Sequence, residues 1–417
     1  MNQIDVDVAV IGTGSAGLNA YRAALQHTSS VITIQHGPYG TTCARVGCMP
    51  SKLLISAAEA AHAIEEAPVF GVHTATPTRI DGKEVMGRVR SERDRFVGFV
   101  VNDSVGSIPD EHKLVGFAKF IDDNTLQVDD HTTITAKRIV IATGSTPMRL
   151  PMFEPAGDRV IVNDDVFDWE DLPESIVVFG PAVIGLELGQ ALQRLGVKMR
   201  LFGKGGFVGP LTDPDVKSEA EKCFQSEFYL DADANVKEIS RNGDKVVVRF
   251  DDLDGNEVTE EYDYLLAATG RVPNIRGIGL ENTSLALDAR GVPLFNDKTM
   301  QCGESHIFIA GDANNQIPLL HEASDEGKIA GKNAGQYPTV EPGLRRSPLS
   351  VVFCDPQIAM VGTMYRDLIE GKYAIGEVSF KGQGRSRVMH QNRGLLRVYG
   401  EMNSRRFLGA EMVGPRA

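Results

Sequence analysis

The chain has 417 residues, 42% hydrophobic and 24% charged, which is the make-up of an ordinary globular protein with length for two or three domains. Its net charge of -13 offers no basic field to draw in nucleic acid, although a nucleotide held in a local pocket stays allowed. The start, MNQIDVDVAVIGTG, carries acids and runs straight into a strand, so it does not read as a signal peptide, and no apolar run approaches a membrane span. The five cysteines are too few and odd in number for a secreted disulfide scaffold. A cytoplasmic protein is expected, in which the one close pair, Cys43 and Cys48, is chemical rather than structural.

In chain order, an apolar strand over 6–11 meets Gly12, Gly14 and Gly17 and then a helical pattern, which returns to a strand over 31–34. CARVGCMPSKLLISAAEAAHAIEEA predicts a helix over 46–66, and a second amphipathic helix is expected over 85–101. The strand IVIATG closes at Gly144. A second segment then echoes the first: a strand over 176–179 meets Gly180, Ala182 and Gly185, a helix follows, the chain returns to a strand over 198–202, and LLAATG closes at Gly270. Strand, glycine turn, helix and strand make the βαβ unit, so its repetition implies two nucleotide-binding α/β domains. FIAGDANN reads as another strand ending in a polar turn, and HEASDEGKIAGKNAG as a helix. Beyond Tyr337-Pro338 the pattern changes to alternating strands, a separate α+β domain.

The first glycine turn stands where a dinucleotide fingerprint must stand, after a strand and opening a helix whose N-terminus faces a pyrophosphate. An acid on the ribose is expected after the second strand of each unit. Gln35 and Gly203 stand there instead, each 18 residues beyond the third position of its turn. Gln35 can still reach a ribose hydroxyl through its amide; Gly203 cannot. Arg200 and Lys204 lie nearby and could accept the 2′-phosphate of NADP, or be solvated surface charges, so the nicotinamide choice stays open. Ala182 adds a methyl where the backbone should approach the phosphates, which would weaken binding in the second unit.

Cys43 and Cys48 are separated by four residues at the start of a helix, whose N-terminus favours a thiolate. Such a pair can close a small disulfide ring and pass two electrons. Half a zinc site is the competing reading, but zinc needs two further ligands and neither a second Cys pair nor a matching His pair is present. No metal is expected.

GTTCARVGCMPSK resembles the active-site signature of the dihydrolipoamide dehydrogenase family, flavoproteins of the pyridine nucleotide–disulfide class. The resemblance extends to both glycine turns, both Ala-Thr-Gly turns, Ala310-Gly311-Asp312, the segment 321–327 and VVFCDPQIAMVG. It implies an α/β fold of two Rossmann-like three-layer domains and a C-terminal α+β dimerisation domain. FAD would be held by 1–148 with 275–338, NAD (or NADP) by 149–274, and a homodimer contact by 339–417. Around the cofactors it implies Gly12, Gly14, Ser15, Ala16, Gly17, Gln35, Thr42, Lys52, Gly116, Thr143, Gly144, Ser145 and Asp312, then Gly180, Ala182, Val183, Ile184, Gly185, Gly203, Gly270 and Arg271. Asp312 would meet the ribityl or phosphate region of the flavin. By the family pattern Cys43 exchanges with substrate, Cys48 faces the flavin, and Lys52 pairs with Glu187 near the flavin's reactive edge.

Cys48 separates the chain from soluble transhydrogenases that resemble the family. Ser51-Lys52 in place of Lys-Lys separates it from glutathione-type reductases, and the lack of a C-terminal cysteine pair from mercuric reductases. The chain stops at LGAEMVGPRA, where family members continue to a His–Glu pair that supplies a base; a truncation is expected. None of the nine histidines stands in that context, and His390 is expected on a strand surface. The expected activity is oxidation of a dihydrolipoyl dithiol through the Cys43–Cys48 disulfide and FAD to NAD+. An NADPH-dependent reductase of another disulfide and a flavin-binding redox sensor without turnover remain alternatives.

Overall fold

The computed structural model describes residues 2–75 and 78–417. It divides into two compact units: Met1–Arg45 with Arg93–Thr146 and Arg271–Arg346, and Val46–Glu92 with Pro147–Gly270 and Ser347–Ala417.

The first unit is built on a parallel sheet in the order Lys113–Val115, Val31–Gln35, Asn2–Ile11, Thr132–Ile141; Ile307–Ile309 adds to the C-terminal end of Thr132–Ile141. An antiparallel extension, Thr125–Val128 and Ala118–Phe120, joins its other end. Val8, Ala9 and Val10 have no exposure, as expected of a parallel strand covered on both faces. One cover is the helix Ser15–Ala24 with Leu320–Gln336. They approach closely because Gly327 and Gly331 have no side chain: a Cβ on them would lie 2.2 and 2.1 Å from the Ala16 and Ala20 oxygens.

The second unit repeats the plan. Its parallel sheet runs Tyr229–Asp231, Lys198–Phe202, Ser175–Phe179, Tyr264–Ala267, Val160–Ile161, with the helix Val183–Arg194 after the central strand. A three-stranded antiparallel sheet, Val236–Asn242, Lys245–Asp251 and Glu257–Tyr262, packs against it through Phe202, Phe250 and Tyr262. The C-terminal segment forms a five-stranded antiparallel sheet in the order Leu349–Val352, Gln357–Gly362, Phe407–Gly414, Leu395–Glu401, Tyr373–Ser379.

Several elements differ from expectation. The helix expected over 46–66 is Cys48–Glu66, preceded by a separate helical segment Thr42–Val46, because Gly47 between them leaves the helical region (φ -134°, ψ -115°). By packing, residues 46–92 group with the second compact unit, since Leu54, Ala58, Met86 and Val89 join the apolar core of Leu186, Leu188 and Ile358. His390 is not on a strand. It lies in the turn after Gly384–Val388 at φ +55°, its ring edge-on to Phe70. Among the described residues no helix is long and apolar enough to cross a membrane.

Candidate active site

The first unit makes a phosphate-sized turn from backbone alone. Gly12 has φ +105°, and a Cβ there would lie 2.3 Å from the Ala142 oxygen; one on Gly17 would lie 1.9 Å from the Gly12 oxygen. Only glycine lets the helix begin so close to the strand. Gly14 is different: a Cβ would meet nothing within 4 Å, so it faces open space. As N-cap of Ser15–Ala24 it provides no side-chain cap, and the amides at the start of the helix are presented to an anion.

Gln35 braces this turn. Its Oε1 accepts from the Thr13 amide (2.9 Å) and hydroxyl (2.6 Å), and its Nε2 donates to the His36 carbonyl (2.7 Å). The amide thus ties the turn to the loop that follows the strand. Gly116 donates to the Gln35 carbonyl at 2.9 Å. At the same sheet edge, past the ends of Thr132–Ile141 and Ile307–Ile309, stand Thr143–Ser145 and Asp312. The Ser145 hydroxyl donates to Asp312 (2.6 Å), and Arg271 donates to both the hydroxyl and the carbonyl of Ser145 (2.7 Å each). Thr143 Oγ1 is buried without a protein partner. An uncapped helix start, open space at Gly14 and a buried Thr143 hydroxyl with no partner among the described residues fit the pyrophosphate of a dinucleotide such as FAD.

The second unit repeats the two close backbone contacts of this turn. A Cβ on Gly180 (φ +109°) would lie 2.3 Å from the Ala268 oxygen, and one on Gly185 would lie 1.9 Å from the Gly180 oxygen. Ala182, exposed, is the N-cap of Val183–Arg194. At Gly203 a Cβ would lie 2.6 Å from the Ala232 oxygen and 2.7 Å from Pro181, so the fold leaves no room there for the expected acid. Arg200 is not a freely solvated charge: it makes two 2.6 Å bonds to Glu260 and lies 4.2 Å from the Tyr229 ring centre. This guanidinium holds the Glu260 carboxyl down to about 2. Lys204 is exposed and pairs with Asp233 at 3.1 Å.

Cys43 lies in the short helix Thr42–Val46 and Cys48 is the first residue of Cys48–Glu66, where Gly47 provides no side-chain cap. Both are half-buried. The other three cysteines are buried, and burial pushes Cys223 up to about 11, Cys302 up to about 12 and Cys354 higher still, which makes them inert thiols. One turn beyond Cys48, Lys52 Nζ lies 2.7 Å from Glu187 Oε2, and Glu187 is 4% exposed. The other carboxylate oxygen of Glu187 accepts from the Phe353 amide at 3.0 Å.

Residues 6–327 match the model of the pyridine nucleotide-disulphide oxidoreductases, and residues 349–417 match the dimerisation domain of the same family. This chain belongs to that family. As a pyridine nucleotide-disulphide oxidoreductase it is an FAD-dependent disulfide oxidoreductase that works with NAD(P), and its C-terminal sheet is the homodimerisation domain. It is similar to dihydrolipoyl dehydrogenases of Bacillus subtilis (30% identical over 421 residues, 99% of this chain and 88% of that one) and Haloarcula marismortui (28% over 424 residues, 99% and 88%). Among solved structures it resembles LpdA of Mycobacterium tuberculosis (TM-score 0.80, 24% identity, 100% of this chain and 90% of that one). It also resembles the HOCl-induced flavoprotein disulfide reductase RclA of Escherichia coli (TM-score 0.78, 21% identity, 98% and 90%). At these identities the two structures speak for the fold alone.

Three residues of this oxidoreductase escaped sequence reasoning. Glu326, 1% exposed, accepts from the Gly311 amide (2.8 Å) and Asn314 (2.7 Å) and so holds the loop that carries Asp312; burial raises its pKa. Arg345 pairs with it at 3.0 Å and with Glu322 at 2.9 Å. The available signal was the spacing of Glu322 and Glu326, which puts two acids on one helix face. Phe353 sits inside VVFCDPQ, where nothing local marks it.

Proposed function

We propose that the chain is a dihydrolipoyl dehydrogenase that oxidises a dihydrolipoyl dithiol at Cys43 and Cys48 and delivers the electrons to NAD+. The observation that carries this is the contrast among the thiols: three are buried and pushed up, while Cys43 and Cys48 stand half-buried on either side of a helix start, with the Lys52–Glu187 pair one turn beyond. The similarity to dihydrolipoyl dehydrogenases over 99% of the chain supports the substrate.

A substrate thiolate attacks Cys43 Sγ, the Cys43–Cys48 bond breaks, and Cys48 leaves as a thiolate. The second substrate sulfur then attacks the first and the mixed disulfide to Cys43 breaks; Cys43 Sγ takes up the proton that the second thiol gives up, the substrate disulfide closes, and the protein is left with a Cys43 thiol and a Cys48 thiolate. The uncapped amides at the Cys48 helix start favour the thiolate. Bound FAD supplies a two-electron acceptor for the protein dithiol and a hydride donor for NAD+. Ser15, Ala16 and Gly17 would hold its pyrophosphate and Thr143, Gly144, Ser145 and Asp312 the region beyond, with 1–148 and 275–338 as its domain. Gly180, Val183, Ile184 and Gly185 would hold the dinucleotide in 149–274, and Lys52 would set a positive charge beside the flavin. NAD is favoured over NADP because Arg200 is engaged by Glu260. A reducing cytoplasm suits a dithiol that cycles.

Anaerobic titration of the FAD-loaded protein with NADH tests the site, and steady-state NADH formation from dihydrolipoamide tests the substrate. A long-wavelength thiolate-to-flavin band that Cys48→Ser abolishes and Cys43→Ser retains is expected, together with turnover of dihydrolipoamide. Reduction of other disulfides by NADPH without dihydrolipoamide turnover would overturn the substrate, and a protein that binds FAD and turns over neither would be a sensor.

A further inference from the structure

The segment from Phe353 to Asp355 lies along one face of the helix Val183–Arg194, meeting Glu187, Gln190 and Arg194, residues spaced three and four apart. Each of them grips it. Glu187 accepts from the Phe353 amide at 3.0 Å. Gln190 both accepts from the Asp355 amide and donates to the Asp355 carbonyl, at 2.7 Å each. Arg194, 7% exposed, donates to the Asp355 carboxylate at 3.0 Å. With Asp355 held at amide, carbonyl and side chain, the backbone two residues earlier has little freedom. The Phe353 ring is thereby set with its centre 4.5 Å from Lys52 Nζ. The Lys52 ammonium thus has Glu187 on one side, at 2.7 Å, and an aromatic ring on another.

We infer that Phe353 is a positioning residue for the redox centre: its amide orients the Glu187 carboxylate, its ring holds the Lys52 ammonium, and together they aim the positive charge that stabilises reduced flavin. This rests on the reading above that Lys52 stands beside the flavin. A ring facing an ammonium attracts it through its quadrupole, and a leucine of similar bulk does not. Loosening Lys52 weakens the field felt by the flavin, whose reduced form is the more negative.

The test uses the FAD-loaded full chain, poised anaerobically at a fixed NADH to NAD+ ratio, with the oxidised and reduced flavin read from absorbance. Phe353→Leu is expected to raise the ratio of oxidised to reduced flavin about two- to fivefold, the factor that one partly exposed cation–π contact is worth. Phe353→Tyr is expected to restore the parent ratio, and Lys52→Met to move it further in the same direction as leucine. Equal shifts from leucine and tyrosine, or none from leucine while Lys52→Met shifts the ratio, would overturn the role of Phe353 and leave Lys52 in place. No shift from Lys52→Met would remove Lys52 from the flavin and Phe353 with it.

Discussion

Alanine at Gly14 and alanine at Gly17 add the same methyl group three residues apart, and the structure assigns them opposite consequences. At Gly17 the new Cβ lies 1.9 Å from the Gly12 oxygen and 2.8 Å from the Gly12 carbon, so helix and strand must separate by about 1 Å or more. Both groups are backbone and neither can turn aside. Overpacking of this kind costs about 1–3 kcal/mol, and the displaced helix also carries Ala16 and Ala20 of its contact with Gly327 and Gly331. At Gly14 the φ of -75° suits alanine and nothing lies within 4 Å. The weaker N-cap, about 1 kcal/mol, is largely offset by the lower entropy of the unfolded chain. Its methyl instead occupies the space before the uncapped amides. Losing one charge-assisted bond there is worth about 1.5–3 kcal/mol, or roughly a 10- to 100-fold weaker FAD. Titration of the flavin-free protein with FAD, followed by flavin fluorescence, gives Kd, and thermal denaturation of the same flavin-free samples gives stability. Gly14→Ala should keep its melting temperature and lose affinity, and Gly17→Ala should lose melting temperature outright. FAD binding by Gly14→Ala within twofold of the parent protein would refute the placement of the pyrophosphate, and an undiminished melting temperature for Gly17→Ala would refute the close contact.

Lys52→Met leaves the buried Glu187 carboxylate with only the Phe353 amide, so it should destabilise the protein by about 1–3 kcal/mol, and Lys52→Met with Glu187→Gln should recover at least half of that in thermal denaturation. The Glu260 carboxyl, held down from 4.5 to about 2 by Arg200, contributes stability that is complete above pH 4.5 and is lost as pH falls towards 2. Melting temperatures of the parent protein and Glu260→Gln should therefore converge across that window, and a gap that stays constant would count against the ion pair. After mild reduction, iodoacetamide should modify Cys43 and Cys48 of the native protein while Cys223, Cys302 and Cys354 react only after unfolding, as read by peptide mass spectrometry.

Much of the site was legible because its requirements are local. A positive φ, a helix that starts against a strand, and a thiol at a helix start are properties of a few consecutive residues, so the tight turns at Gly12, Gly17, Gly180 and Gly185 and the helix start at Cys48 were readable as backbone geometry. The α/β architecture was readable for the same reason, from strand and helix periods that repeat along the chain. What the sequence left unsettled depended on partners far away along the chain. Arg200 stood open between a phosphate contact and a solvated charge, yet Glu260, sixty residues on, takes both arms of its guanidinium. Gln35 is marked in sequence only by its place after a strand, and its bond to Thr13 on the neighbouring turn appears only in the fold. Glu322 and Glu326 have the spacing of one helix face, and the return of the chain at Arg345, with the Gly311 amide and Asn314 on Glu326, makes their burial tolerable. His390 was set on a strand that the chain leaves before reaching it. The cysteine pair proposed as the redox centre is thus written into a dozen residues of sequence, whereas the bracing of Lys52 by Glu187 and Phe353 exists only because 135 and 166 residue separations close on one point, a matter for long-range packing and hydrogen bonding alone.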